Sequence, residues 1–375
     1  MSVLRRNLPL LIAMVAIVGI IAAIQAFVPK RATPAAEVLP STTAAVLRGE
    51  DPAGQPMPEF TNVAAWVNSK PLTMASLKGK VVLVDFWTYS CVNCLRTLPY
   101  LKEWQSKYAS KGLLIVGVHS PEFEFEKDVD NVRTATAKHG ITWPIAVDNE
   151  YGTWVAYGNR YWPHKYIGDA NGGYRFHHIG EGNYRMTEIT IRDLLTESGV
   201  DVSGIPLGSD GEHTTWAGVS PELYMGSAWA HLKQRGTDPT PEADRTRYID
   251  KKQRFEGMSY LHGYWSEAEE YVQYVAGAPE GPGYVGILYY AKRVNFVAST
   301  AKAPAVVEVL WDGVPVPKEF AGDDLTYDAN GRSIITITEP RMYNAIANSD
   351  PDEHEVRLLP RSTDFQLYTF TFSGS

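Results

Sequence analysis

The first strong feature in the pattern of apolar and polar positions is an apolar run from Leu8 to Val28, broken only by Pro9, Gly19 and Gln25. A helix of that length reaches about 30 Å, enough to cross the hydrocarbon core of a bilayer. Arg5 and Arg6 precede the run and Lys30 and Arg31 follow it, so the charge bias that would place the N-terminus in the cytoplasm is weak. The run is long for a cleaved signal peptide and no clean small-residue cleavage site ends it. The reading is an uncleaved N-terminal transmembrane helix over residues 1–30. Residues 31–54, rich in Ala, Pro, Thr and Gly without helical or strand period, read as a flexible linker.

Strand and helix patterns then alternate. Val81 to Trp87 reads as a buried strand, followed by a Thr-Tyr-Ser turn and a helical pattern through Tyr108. Leu113 to Val118 is a second apolar strand, Asp128 to His139 a polar helix, and Pro144 to Asp148 and Lys165 to Ile167 short strands before an Asp-Ala-Asn-Gly-Gly turn. Thr187 to Ser198 closes the segment as a helix. This order predicts an α/β layer structure over residues 55–202. Beyond it, short aromatic and β-branched runs are split by Gly and Pro: Tyr284–Ala291, Val294–Ala298, Val306–Trp311, Ile334–Thr338, Glu355–Leu359 and Gln366–Phe372. They predict an all-β sandwich, jelly-roll-like, over residues 203–375, with a tight hairpin at Trp311-Asp312-Gly313 because Asp-Gly tolerates positive φ.

Composition narrows the function. The chain has 375 residues, 44% hydrophobic and 21% charged, as expected for two globular domains rather than a disordered or multi-span protein. A net charge of -8 without a basic stripe removes the electrostatic footprint that nucleic-acid binding requires. No phosphate-binding Gly loop, HExxH or Ser-His-Asp pattern stands out, so no cofactor is expected. His177 and His178, adjacent on a predicted strand, point to opposite faces and cannot chelate one metal together. Trp216, Tyr224, Tyr264, Trp265 and Tyr289 are candidates for a sugar-stacking platform, set against the ordinary role of sandwich aromatics as core.

Only two cysteines occur, Cys91 and Cys94 in Ser-Cys-Val-Asn-Cys. They cannot staple a small scaffold, and a structural zinc site would need further ligands, so no metal is expected and the pair reads as redox-active. Placed where a strand turns into a helix, Cys91 meets unpaired N–H groups and the positive dipole end, which favour the thiolate that attacks disulfides. Cys94, one turn inside the helix, is suited to resolve the mixed disulfide. Asp85 stands in an otherwise apolar strand, where an unpaired carboxylate is costly; protonated or water-linked, it can manage a proton. Pro99 removes a hydrogen bond inside the helix and should kink it.

Val-Asp-Phe-Trp, the six residues from Asp85 to Cys91, the CxxC and Pro99 eight residues after Cys91 share the spacing of thioredoxins. Within that fold, Tyr-Ser-Cys-Val-Asn-Cys-Leu-Arg-Thr-Leu-Pro-Tyr-Leu, Trp162-Pro163-His164-Lys165-Tyr166 and Gly180-Glu181-Gly182-Asn183-Tyr184 resemble the extracytoplasmic thioredoxin-like part of DipZ-type proteins, relatives of the TlpA and ResA group. The resemblance implies a periplasmic reductase of protein disulfides, followed by a β-sandwich resembling a carbohydrate-binding module, with glycan a possible partner. It also implies that Pro163 is a cis-proline facing the CxxC and that Trp162 offers backbone groups to a substrate strand; Trp87 and Trp162 are candidates for the rim of the site, set against the ordinary role of aromatics beside strands as core. DipZ proteins carry a multi-span CcdA-like electron-transfer domain. This chain has a single apolar segment, so the expected electron donor is a separate CcdA/DsbD-like membrane protein. The alternatives are a thiol peroxidase of the redoxin group, which lacks its usual Pro-x-x-x-Thr-x-x-Cys context here, and a glycan- or partner-docking protein with an auxiliary redox domain.

Overall fold

The computed structural model describes residues 54–208, 219–229, 235–242 and 245–374. The expected anchor, nearly all of the linker, and Trp216 lie outside the described residues. Among those described, no helix is long and apolar enough to cross a membrane.

The first part is a six-stranded sheet built from β1 (Ala65–Val67), β2 (Val81–Trp87), β3 (Leu113–His119), β4 (Ile145–Val147), β5 (His164–Gly168) and β6 (Tyr174–Ile179). Their spatial order is β1-β4-β3-β2-β5-β6, with β2, β3 and β4 parallel neighbours and β1, β5 and β6 antiparallel to theirs. Helices α1 (Val92–Tyr108), α2 (Val129–Lys138), α3 (Gly152–Ala156) and α4 (Tyr184–Glu197) complete the thioredoxin-like layers that the resemblance implied.

Strand β2 lies centrally and all seven of its residues are buried, which explains its unbroken apolar run. Alternation along it sends Val82, Val84 and Phe86 to one core and Val81, Leu83 and Trp87 to the other, where they pack with Leu98, Leu101 and Trp104 of α1 and with Cys94. Asp85 falls in the second set by the same period of two. The strand therefore aims its one carboxyl toward the helix that carries the cysteines. Helix α1 continues through Pro99 for 17 residues.

The second part is a large all-β sheet, with twelve strands among the described residues. The expected sandwich of short strands needs correction. The two runs read as Tyr284–Ala291 and Val294–Ala298 are one strand, Tyr284–Thr300, and Glu355–Leu359 is the end of a 20-residue strand, Arg341–Pro360. Lys292 and Arg293 broke the apolar pattern; in the structure they coincide with a shift in pairing register between Ala291 and Arg293, where a bulge admits them without ending the strand. The front of Tyr284–Thr300 pairs with Ser259–Glu267 and its rear with Phe365–Ser373. The layers are thus one hydrogen-bonded network passing through bent strands around a single core. At the predicted hairpin, Trp311 pairs with Val314 across Asp312 and Gly313, whose φ values are 50° and 83°.

Candidate active site

Cys91 is the N-cap of α1. Its backbone is extended and its Sγ accepts the Cys94 N–H at 3.3 Å, which satisfies one of the orphan donors of the first turn. Both cysteines are free thiols, Cys91 half-buried and Cys94 buried. Burial, reinforced by a side-chain hydrogen bond that the Cys94 thiol makes to Cys91, pushes Cys94 well above the ordinary thiol range. The two sulfurs therefore differ in access and in ease of ionisation.

Asp85 is 1% exposed and its Oδ1 has no hydrogen-bond partner among the described residues. Burial raises its carboxyl to about 6, against the opposing pull of Lys165. Asp85 also helps to hold Cys94 protonated. Lys165 was not singled out from sequence. It is fully buried, pairs directly with Asp85 in the β2–β5 register, and donates from Nζ to Gly180 O at 3.3 Å. Burial lowers its ammonium, while Asp85 and then Cys94 pull it back up. A charged lysine in the Trp-Pro-His-Lys-Tyr segment looks like a solvated residue until β5 is known to be buried on both faces.

Residues 180–184 wrap beneath the same helix. Glu181 holds Arg96 through two hydrogen bonds of 2.8 and 2.6 Å, and Arg96 in turn donates to Asn93 Oδ1 at 2.7 Å. Asn93, between the two cysteines, is thereby oriented from outside the motif. Gly180, Gly182 and Asn183 have positive φ, so this turn depends on residues that tolerate the left-handed region. Tyr184 then stacks on Tyr100 of α1, with centroids 3.5 Å apart.

The Trp162–Pro163 peptide bond is cis, and Trp162 donates from Nε1 to Ser120 O at 3.0 Å while packing against Trp154. Trp162 is half-buried, as a rim residue should be. Trp87 is not at the rim. It is 1% exposed, set edge-on to His119, and occupies space opened by the missing side chain of Gly117, so it belongs to the floor of the site. His119 is also buried, stacked on Tyr89, and lowered by burial to about 3. A neutral imidazole therefore lies under the Thr88–Ser90 turn.

His177 and His178 diverge as expected, one toward His164 and the other toward Glu181 O. The sugar platform is not supported. Tyr224, Tyr264, Trp265 and Tyr289 are all buried, Trp265 and Tyr289 within the main β core, and a ring packed on both sides cannot stack on a sugar.

The Redoxin family model matches residues 52–167, and a model described as a thioredoxin-like C-terminal domain matches residues 220–373. Protein DipZ of Mycobacterium tuberculosis is 35% identical over 277 residues, which cover 72% of this chain and 38% of that protein. The chain thus spans well under half the length of that relative. The thiol-disulfide oxidoreductase YkuV of Bacillus subtilis is 33% identical over 144 residues, covering 38% of this chain and 97% of YkuV. A thioredoxin-like protein solved in solution in its oxidised form is 35% identical, covering 38% of this chain and 96% of its own, with a TM-score of 0.36. The chain belongs to the redoxin family, as a DipZ- and TlpA-like protein of the thioredoxin fold.

Proposed function

We propose that Cys91 and Cys94 are the redox pair of a reductase of protein disulfides, held outside the cytoplasm by the apolar segment Leu8–Val28. One observation carries the reading: a half-buried sulfur caps α1, and a second, buried sulfur lies one turn below it on the face that receives Asp85. The Cys91 thiolate attacks a substrate disulfide, forming one S–S bond and releasing one substrate thiolate. Cys94 gives its proton to Asp85 and attacks the Cys91 sulfur, releasing the second substrate thiol and leaving a Cys91–Cys94 disulfide. Two electrons pass to the substrate. Lys165 balances the charge that Asp85 carries before it receives the proton.

Trp162 and Pro163 border the path by which an extended substrate segment reaches Cys91. The redox domain is assigned to residues 55–202 and the all-β domain to 203–375. A separate CcdA/DsbD-like membrane donor would return the electrons. Equilibration of the protein in glutathione buffers, with the disulfide read by mass, tests the direction. The expected potential is reducing, on the order of -250 mV or lower; a value near about -120 mV would make the pair an oxidant.

A further inference from the structure

Glu126 is fully buried yet plays no part in the exchange steps above. Its Oε1 accepts the backbone N–H of Ser90 at 3.3 Å and the Ser90 hydroxyl at 2.6 Å. Its Oε2 accepts the N–H groups of Glu122 and Phe123 at 2.5 and 3.1 Å. Four donors meet the four lone-pair positions of one carboxylate, so the group is fixed from both sides. One side is the residue immediately before Cys91. The other is the loop 121–127, whose outer surface belongs to the seam with the all-β domain. There Phe123 and Phe125 pack against Tyr368, with centroids 5.1 and 4.9 Å apart, and Tyr224 donates its hydroxyl to Glu122 at 2.5 Å. A second tie runs the same way, from the Tyr89 hydroxyl to Phe125 O at 3.4 Å.

We propose that Glu126 is a positioning residue that holds Ser90, and through it Cys91, in the attacking geometry, and that this hold depends on the seating of the all-β domain on loop 121–127. Small displacements of a reacting group carry large rate penalties, and Ser90 sets where the Cys91 sulfur stands relative to the Cys94 N–H. The all-β domain thereby acts on the thiol chemistry without touching either sulfur. The inference rests on the exchange reading given under Proposed function.

The test uses the full-length protein and its variants Glu126→Gln, Ser90→Ala, the double variant and Tyr224→Phe. Readouts are the rate of attack on a small aromatic disulfide across pH, the equilibrium with glutathione, and the melting temperature. Glutamine keeps the volume of Glu126 but turns an NH2 group toward N–H donors. The expected result is a loss of attack rate on the order of tenfold in Glu126→Gln, a smaller loss in Ser90→Ala, and a double variant no worse than Glu126→Gln, the sign of two residues acting through one contact. Tyr224→Phe, which removes only the seam hydroxyl, should slow attack by about twofold to threefold and move the glutathione equilibrium in the same direction. Should Glu126→Gln not fold, Ser90→Ala and Tyr224→Phe still decide. Additive effects, or unchanged rate and equilibrium in Ser90→Ala, would overturn the positioning role. An unchanged Tyr224→Phe would overturn the dependence on the all-β domain. A wild-type protein that does not reduce the small disulfide at all would instead remove the exchange reading itself.

Discussion

Asp85 and Lys165 face each other across β2 and β5, and both are buried. Asp85 sits at about 6, above the usual 3.8, so between those values the native carboxyl keeps a proton that the unfolded chain has lost. Native stability from this group is therefore intact below about pH 4 and falls as pH rises toward 6. Asp85→Asn should gain stability relative to wild type over that window, by up to about 3 kcal/mol at pH 7, as read from urea denaturation at a series of pH values. A stability difference independent of pH would show that the carboxyl does not titrate in this range. In exchange kinetics, resolution by Cys94 should quicken as pH passes about 6 in the wild type, and this inflection should vanish in Asp85→Asn. Cys91, Cys94 and Asp85 were legible in the sequence because one strand and one turn fix their spacing. Lys165 and Glu126 were not, since each reaches the site through a pairing register or a loop far along the chain.

Helix α1 is held by residues that the apolar period of the sequence already marks, and Leu101 is fully buried among them. Leu101→Ala should cost about 2–5 kcal/mol in chemical denaturation, from lost burial plus the cavity left behind. Gly117 shows the opposite constraint. A Cβ there would stand 2.5 Å from Ile145 Cδ1 and 2.9 Å from Trp87 Nε1. Gly117→Ala should destabilise by about 1–3 kcal/mol, because Trp87 is packed on every side and cannot move to make room. The hairpin at Asp312-Gly313 was readable because its chemistry is local. The strand Tyr284–Thr300 was read as two, since a bulge admitting Lys292 and Arg293 looks the same in one dimension as a turn. The fourfold clamp on Glu126 is harder still, with donors drawn from two separate loops.

At the scale of the whole molecule, Phe123 is buried in one cluster with Phe125 of its own loop and with Tyr224, Val297 and Tyr368 of the all-β part. A fragment ending near residue 202 should therefore be less stable by about 2 kcal/mol or more, and amide exchange should quicken first in loop 121–127. Equal protection of that loop in fragment and full chain would show that the seam contributes nothing. The redox half was legible as a fold from its alternating strands and helices. The seam was not, because the residues that make it, Phe123, Phe125 and Tyr368, each look like ordinary core residues of separate domains. The order of attack proposed for the pair, Cys91 first and Cys94 as resolver, decides the mechanism. Cys94→Ser, incubated with oxidised substrate proteins, should accumulate mixed disulfides that map to Cys91 by mass and vanish with reductant, while Cys91→Ser should trap almost nothing. Adducts on Cys94 in the Cys91→Ser protein, with none on Cys91 in the Cys94→Ser protein, would contradict the claim.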